Sequence, residues 1–276
     1  MICYYENNRG KRIDLMKTPY HLITGDFFKY EWEEITYSGK IYGFKQSIVE
    51  KDIKMDVFCK KSEFAKSLDA LEEVFAPDRL DTKAGRLYVN GYYLECYIKE
   101  MDPSDWEAGI YSVVNLTVIT DSPQWIKEEK VSFMPKNIEK DGEFLDYPLR
   151  YPFDYTASTV GTDSWYLESD GNSPFQMIIY GPCTDPRIVI NDHPYEIFTT
   201  LESSEYLILD TRSDKITKYH SNGTQSNLYN SRRMDQSVFD PLPGGMLTLI
   251  WPGTFGVDIT AFVERSIPRH EVNFGR

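Results

Sequence analysis

A chain of 276 residues, 41% of them apolar, is long enough to build two cores of ordinary size, and two domains is the starting expectation. The net charge of -13 repels nucleic-acid phosphates and no Lys/Arg cluster reverses the sign locally, which argues against specific DNA or RNA binding; an acidic surface is still compatible with a channel through which DNA slides without sticking. No apolar run approaches the ~20 residues of a membrane helix, and the opening Met1-Ile-Cys-Tyr-Tyr-Glu lacks the basic and apolar regions of a secretory signal, so synthesis in a reducing cytoplasm without membrane insertion is expected.

The 20 Tyr and 15 Phe tilt the class towards β, because these side chains favour a pleated, half-buried surface. Along the chain, Gly39-Lys40 lacks the upstream glycine of a phosphate-binding loop and reads as a β-turn in a Tyr-rich strand region. A helix is predicted over Lys61–Ala76, where Phe64, Leu68, Leu71 and Phe75 recur on one face, with Ser62 as N-cap and Pro77 as terminator. Its expected role is core packing on a sheet.

Arg86–Val89, Asn90-Gly91 and Tyr92–Ile98 read as a hairpin, since Asn-Gly supplies the positive φ angles of a type I′ turn. Gly109–Thr120 then alternates, with Ile110, Val114, Leu116 and Val118 on one face and Tyr111, Asn115 and Thr117 on the other, as in a long strand with one buried face. From Lys127 to Gly142 the chain becomes charged and aperiodic, and Pro148 and Pro152 follow; a domain boundary is placed near residue 140, within about ten residues. The domains are thus 1–140 and 141–276.

The second half shows short β-rich runs at Gln176–Tyr180, Arg187–Ile190, Glu205–Asp210, Lys215–His220, Met246–Trp251 and Gly256–Glu264. Turn signals separate them: Asn191-Asp-His-Pro194, Ser221-Asn-Gly-Thr224 and Pro241-Leu-Pro-Gly-Gly245. Many short strands at this spacing indicate a β-sandwich or jelly roll. The fold class is therefore mainly β, a β-rich first domain with one helix followed by a sandwich.

Catalytic and metal signatures are sparse. Neither G-x-S-x-G nor G-x-x-x-x-G-K occurs. Cys3, Cys59, Cys96 and Cys183 form no C-x-x-C pair and read as free thiols. None of His21, His193, His220 and His270 has a second His or Cys at ligand spacing, and Glu168-Ser-Asp-Gly-Asn172 lacks the order of a calcium loop. No cofactor, metal or catalytic residue is assigned. The aromatic residues Trp165, Tyr166, Tyr180 and Trp251 could stack sugar rings if exposed on one concave face, whereas core packing is the ordinary role of aromatics in a sandwich.

The order of segments resembles the distal tail protein family of siphophages and prophages. The segments that carry the resemblance are Tyr5-Glu-Asn-Asn-Arg-Gly10 before Ile13-Asp-Leu15, the helix, the hairpin and Thr120-Asp-Ser-Pro-Gln-Trp125 in the first half. In the second they are Tyr151-Pro-Phe-Asp-Tyr155, Asp185-Pro-Arg-Ile-Val-Ile-Asn191, Glu205-Tyr-Leu-Ile-Leu-Asp-Thr211 and Leu249-Ile-Trp-Pro-Gly253. The resemblance implies a non-enzymatic structural component of a virion tail. Its first domain would form a hexameric ring, and its second would be a galectin-like sandwich. Implied partners are further copies of the chain, the tail tube protein, a tail-associated lysin or tail spike, and receptor-binding proteins. Two other readings stand beside it: a carbohydrate-binding module for wall adhesion, motivated by the aromatic sandwich, and a cryptic wall hydrolase, motivated only by the 43 acidic residues.

Overall fold

The computed structural model describes residues 1–104, 109–135 and 161–270. They divide into two units, one built from residues 1–127 and 264–276, the other from residues 128–263. The chain enters the second unit along one strand and leaves it along another. The expected boundary near residue 140, and the segment Tyr151–Tyr155, lie outside the described residues.

The first unit carries β1 (Cys3–Glu6), β2 (Arg12–Asp14), β3 (Tyr20–Gly25), β4 (Glu33–Tyr37), β5 (Lys40–Lys45), β6 (Val49–Phe58), α1 (Lys61–Asp81), β7 (Gly85–Val89), β8 (Tyr92–Ser104), β9 (Tyr111–Thr120) and the start of β10 (Trp125–Phe133). Antiparallel pairing runs β3-β6-β9-β8-β7-β1-β2. One strand, β8, serves both halves of that order: Tyr92–Cys96 pair with β7, and Tyr97–Ser104 pair with β9, with a register shift between Ile98 and Glu100. Such a bulge bends the strand and lets it turn between two neighbours. Alternation buries Ile53, Met55 and Val57 of β6 with Leu94, Cys96 and Ile98 of β8 and Val114, Leu116 and Val118 of β9. These share one core with Phe64, Leu71, Val74 and Phe75 of α1.

The predicted hairpin is present, with Asn90 at φ 51° and Gly91 at φ 86° and Val89 facing Tyr92. Asn90 does more than turn the chain. Its side chain accepts from Ile2 N–H (3.1 Å) and donates to the carbonyls of Arg269 (2.9 Å) and His270 (3.3 Å), and Phe28 stacks on the His270 ring at 4.0 Å. The unit is therefore closed by residues from both ends of the chain.

The helix differs from expectation at both ends. It starts at Lys61 after Lys60, with no side-chain cap from Ser62, and it runs through Pro77 to Asp81. Proline costs a helix one hydrogen bond and a clash with the preceding turn, and here tertiary contacts around it offset that cost. Asp78, fully buried, accepts from the Tyr5 hydroxyl (2.6 Å) and Asn8 N–H (2.7 Å), while Asn7 Nδ2 donates to the Val74 carbonyl (3.0 Å). Thr82 in the left-handed conformation then ends the helix, with Lys83 N–H on the Asp78 carbonyl. The Tyr5-Glu-Asn-Asn-Arg-Gly10 segment is thus a clasp on the last two turns of α1, reinforced outside by Arg9 on Asp81 (2.9 Å) and Lys11 on Glu73 (2.7 Å). Gly85 is glycine because a Cβ there would stand 2.4 Å from both the Asp78 carboxylate and the Tyr5 hydroxyl.

Two smaller expectations also change. Ile110 lies outside β9 and is exposed, and the charged stretch from Lys127 is strand as far as Phe133, its charges lying along partly exposed positions between the buried Trp125, Ile126 and Phe133.

The second unit holds the remainder of β10, then β11 (Gly161–Leu167), β12 (Phe175–Tyr180), β13 (Cys183–Thr184), β14 (Arg187–Ile190), β15 (His193–Glu196), β16 (Thr200–Leu201), β17 (Tyr206–Asp210), β18 (Lys215–Tyr219), β19 (Gln225–Asn227), β20 (Gly245–Trp251) and β21 (Val257–Arg265), whose last two residues belong to the first unit. One sheet runs β19-β18-β17-β12-β21-β10 and a second β11-β20-β14-β15, with β13 and β16 paired separately. Met177, Ile179, Leu207, Leu209, Val257 and Ile259 of the first sheet pack in one cluster with Leu167, Ile188, Ile190, Leu247, Leu249 and Trp251 of the second. This is the expected sandwich. All six predicted strands are found within a residue or two, while β11, β13, β15, β16 and β19 add to them.

Candidate functional site

Among the described residues, the most exposed apolar feature is the β4–β5 hairpin, which pairs with no other described strand. Ser38 (φ 49°) and Gly39 (φ 74°) make its turn, as read for Gly39-Lys40. All but one of its strand residues are exposed. Pairing puts Glu33 and Lys45, Ile35 and Gly43, and then Tyr37, on one face; Glu34 and Phe44, and Thr36 and Ile41, lie on the other. Tyr42 occupies the extra position of the register shift, its ring edge-on to Tyr37 at 6.0 Å. Ile35, Tyr37, Ile41, Tyr42 and Phe44 are 46–74% exposed, so both faces are apolar. An isolated two-stranded ribbon is marginal in water, and exposed apolar clusters of this kind mark contact surfaces.

The base of this arm is fixed. Lys51, buried, donates from Nζ to the carbonyls of Asp26 (3.0 Å) and Lys29 (2.6 Å), with burial lowering its ammonium pKa, and Phe27 packs edge-on against Trp125. The ribbon thus presents an exposed apolar surface from a hydrogen-bonded base.

The aromatic residues considered for sugar stacking do not share a face. Trp251 is buried, donating Nε1–H to the Phe255 carbonyl (3.2 Å), and Trp165 packs against the sandwich core. Tyr166 is exposed on the outer side of the β11 sheet; Tyr180 lies on the outer side of the other sheet, beside Tyr206. The carbohydrate-module reading loses the platform that motivated it.

Of the histidines, His21 is exposed on β3, His193 contacts the Ser237 carbonyl at 2.8 Å, and His270 stacks on Phe28. Ser169, through its contacts with Gly171 and Ser173, organises the Glu168–Asn172 turn. The cysteines are free thiols, Cys3 and Cys96 buried. Among the described residues no group of three His, Cys, Asp or Glu could hold a metal ion, and no helix is long and apolar enough to cross a membrane.

His220 is the exception, belonging to a compact polar cluster. Glu205, 7% exposed, receives Lys218 Nζ (2.7 Å) and Glu202 N–H (2.9 Å) on Oε2 and His220 Nδ1 (2.9 Å) on Oε1; His220 Nε2 meets Ser226 Oγ at 2.7 Å. Lys218 first, then the Glu202 amide, hold the Glu205 carboxyl down at about 2. A carboxylate whose folded pKa is depressed below the usual ~4.3 contributes stability above that value and loses it as pH falls towards 2. Glu205→Gln is therefore expected to flatten the fall of melting temperature between roughly pH 4.5 and pH 2; coincident melting profiles for the two proteins would remove Glu205 from the acid response.

No family model and no curated protein sequence matches the chain. Solved structures do. The SPP1 Dit protein, described as a paradigm of the hub adsorption apparatus in phages infecting Gram-positive bacteria, aligns over 96% of this chain and 100% of its own at 9% identity, TM-score 0.57. The chain has the distal tail protein fold. A chain of the phage P2 baseplate in its activated conformation with Ca aligns over 97% of this chain and 99% of its own (12% identity, TM-score 0.59), and one from the same baseplate with Sr over 97% and 100% (10% identity, TM-score 0.59). The likeness spans both units.

Proposed function

We propose that the protein is a structural hub of a phage or prophage tail tip, joining the tail tube to the adsorption apparatus. The observation that carries this reading is likeness across nearly the whole length of both chains to a phage hub protein and to baseplate chains. A fragmentary match to a common sandwich would carry far less, because sandwiches serve many functions.

In this reading the first unit associates with further copies in a closed ring, six being the expected number, through a patch on one copy meeting a different patch on the next. The β4–β5 arm, with its two apolar faces, supplies one such patch. The ring joins the tail tube protein, and the sandwich docks peripheral components, for which a tail lysin or spike and receptor-binding proteins are the proposed set. No catalytic step is part of this role. Mass photometry and negative-stain imaging of the full chain, alone and with the tube protein, test it. Closed rings of defined stoichiometry are expected; a chain that stays monomeric with its tail partners present overturns it.

A further inference from the structure

The Glu205, His220 and Ser226 cluster has a geometry that the hub role does not use. Glu205 directly precedes β17, His220 directly follows β18 and Ser226 sits in β19. Antiparallel pairing sets Ser226 opposite Lys218 and Lys218 opposite Leu207, which brings the three groups to one end of the same sheet. An ionised carboxylate only accepts hydrogen bonds, so the contact of 2.9 Å with Glu205 places the proton of neutral His220 on Nδ1. The lone pair on Nε2 then faces Ser226 Oγ at 2.7 Å and accepts its hydroxyl proton. That is the tautomer a general base needs, oriented by a third group.

The surroundings support the same assignment. Lys218 and the Glu202 amide fix the Glu205 carboxylate, whose side chain is 8% exposed, while His220 is 29% exposed and Ser226 partly so. The relay is buried at its acidic end and reachable from solvent at its nucleophile. Lys218 donates to Glu205 (2.7 Å) and to the Thr200 carbonyl (2.8 Å), so the carboxylate that orients His220 is itself held in place.

We propose that Ser226, His220 and Glu205 form an acyl-transfer site that hydrolyses carboxylic esters of small acyl groups. Small acyl groups fit because Ser226 is flanked by exposed polar Gln225 and Asn227 and by the exposed turn 221–224, not by an apolar channel. Ser226 Oγ attacks the ester carbonyl carbon and its proton passes to His220 Nε2. The alcohol leaves with that proton as the acyl-serine forms. Water, deprotonated by the same nitrogen, attacks the acyl-serine, releasing the carboxylic acid and restoring the hydroxyl. Water is the only co-reactant.

The full chain is treated with a fluorophosphonate probe, mapped by peptide mass spectrometry, and assayed on p-nitrophenyl acetate. Time-dependent labelling at Ser226 is expected, with ester hydrolysis falling at least about 100-fold in Ser226→Ala and in His220→Gln. Glu205→Gln, a positioning change, is expected to lower kcat with KM little altered. Melting curves establish that each variant is folded. Absence of label at Ser226 in the folded chain, or hydrolysis by folded Ser226→Ala equal to the parent, overturns the assignment.

Discussion

Replacing Asp78 with alanine is expected to lower the melting temperature of the first unit by about 10–20 °C. Two donors lose their acceptor at once, the Tyr5 hydroxyl and the Asn8 amide, and Tyr5 is itself fully buried. Each unsatisfied buried donor costs roughly 1–3 kcal/mol, so the pair together costs about 3–5 kcal/mol, a large share of the 5–15 kcal/mol that holds an ordinary domain together. The Tyr5 hydroxyl has a weaker second contact, 3.3 Å to the Cys96 carbonyl, which keeps the effect towards the lower figure if the ring can shift. Tyr5→Phe removes a single donor and is expected to cost about 1–2 kcal/mol. A double-mutant cycle of Tyr5→Phe with Asp78→Asn, followed by chemical denaturation, isolates the pair. A cycle with no coupling energy would mean that the clasp on α1 owes its stability to Asn7 and the outer ion pairs instead.

The second large effect concerns assembly. Introducing Tyr37→Asp and Phe44→Asp together places a charge on each face of the β4–β5 ribbon and is expected to leave the chain monomeric where the parent forms rings. A buried aromatic anchor at an interface is worth about 2 kcal/mol or more, close to thirty-fold in each contact, and a ring multiplies that loss around its circumference. Neither side chain supports the fold, since both are more than half exposed, so the melting temperature is expected to hold within a few degrees. Each single change tests one face. If only one face meets a neighbour, the two single variants separate; if the ribbon is sandwiched, both assemble poorly. Sedimentation velocity across a concentration series reads the result, and rings that persist in the double variant would place the assembly surface elsewhere.

Much of the fold was legible because it is local. Asn90-Gly91 fixes its turn through backbone preferences that need no other part of the molecule, and Val114, Leu116 and Val118 announce their face by simple alternation. Pro77 misled for the opposite reason: what keeps the helix going is Asp78 gripping Tyr5 and Asn8, more than 70 residues earlier in the chain in one case and 70 in the other. The clasp segment could be recognised by resemblance, but its work could be seen only once its partner was in place. In the same way Glu205, His220 and Ser226 match no short motif. They meet because two successive turns fold β17, β18 and β19 side by side, and a search for fixed spacings cannot register that. The turn of the arm was legible at Gly39-Lys40 but its exposure was not, because its Tyr, Ile and Phe residues look like those of any half-buried strand; that they remain uncovered is a property of the three-dimensional arrangement.

The closing of the first unit by Arg269 and His270 against Asn90 and Phe28 has a consequence for synthesis. Residues 128–263 form a contiguous unit and can fold as soon as they clear the ribosome, whereas the unit begun by residues 1–127 waits for the segment that follows residue 263. At roughly 5–20 residues per second the interval is on the order of ten seconds, during which β7 and β8 stand without their final latch. Synthesis of residues 264–270 thus becomes the event that latches the half of the molecule bearing the apolar arm, so that nascent chains short of that segment are the least prepared to associate.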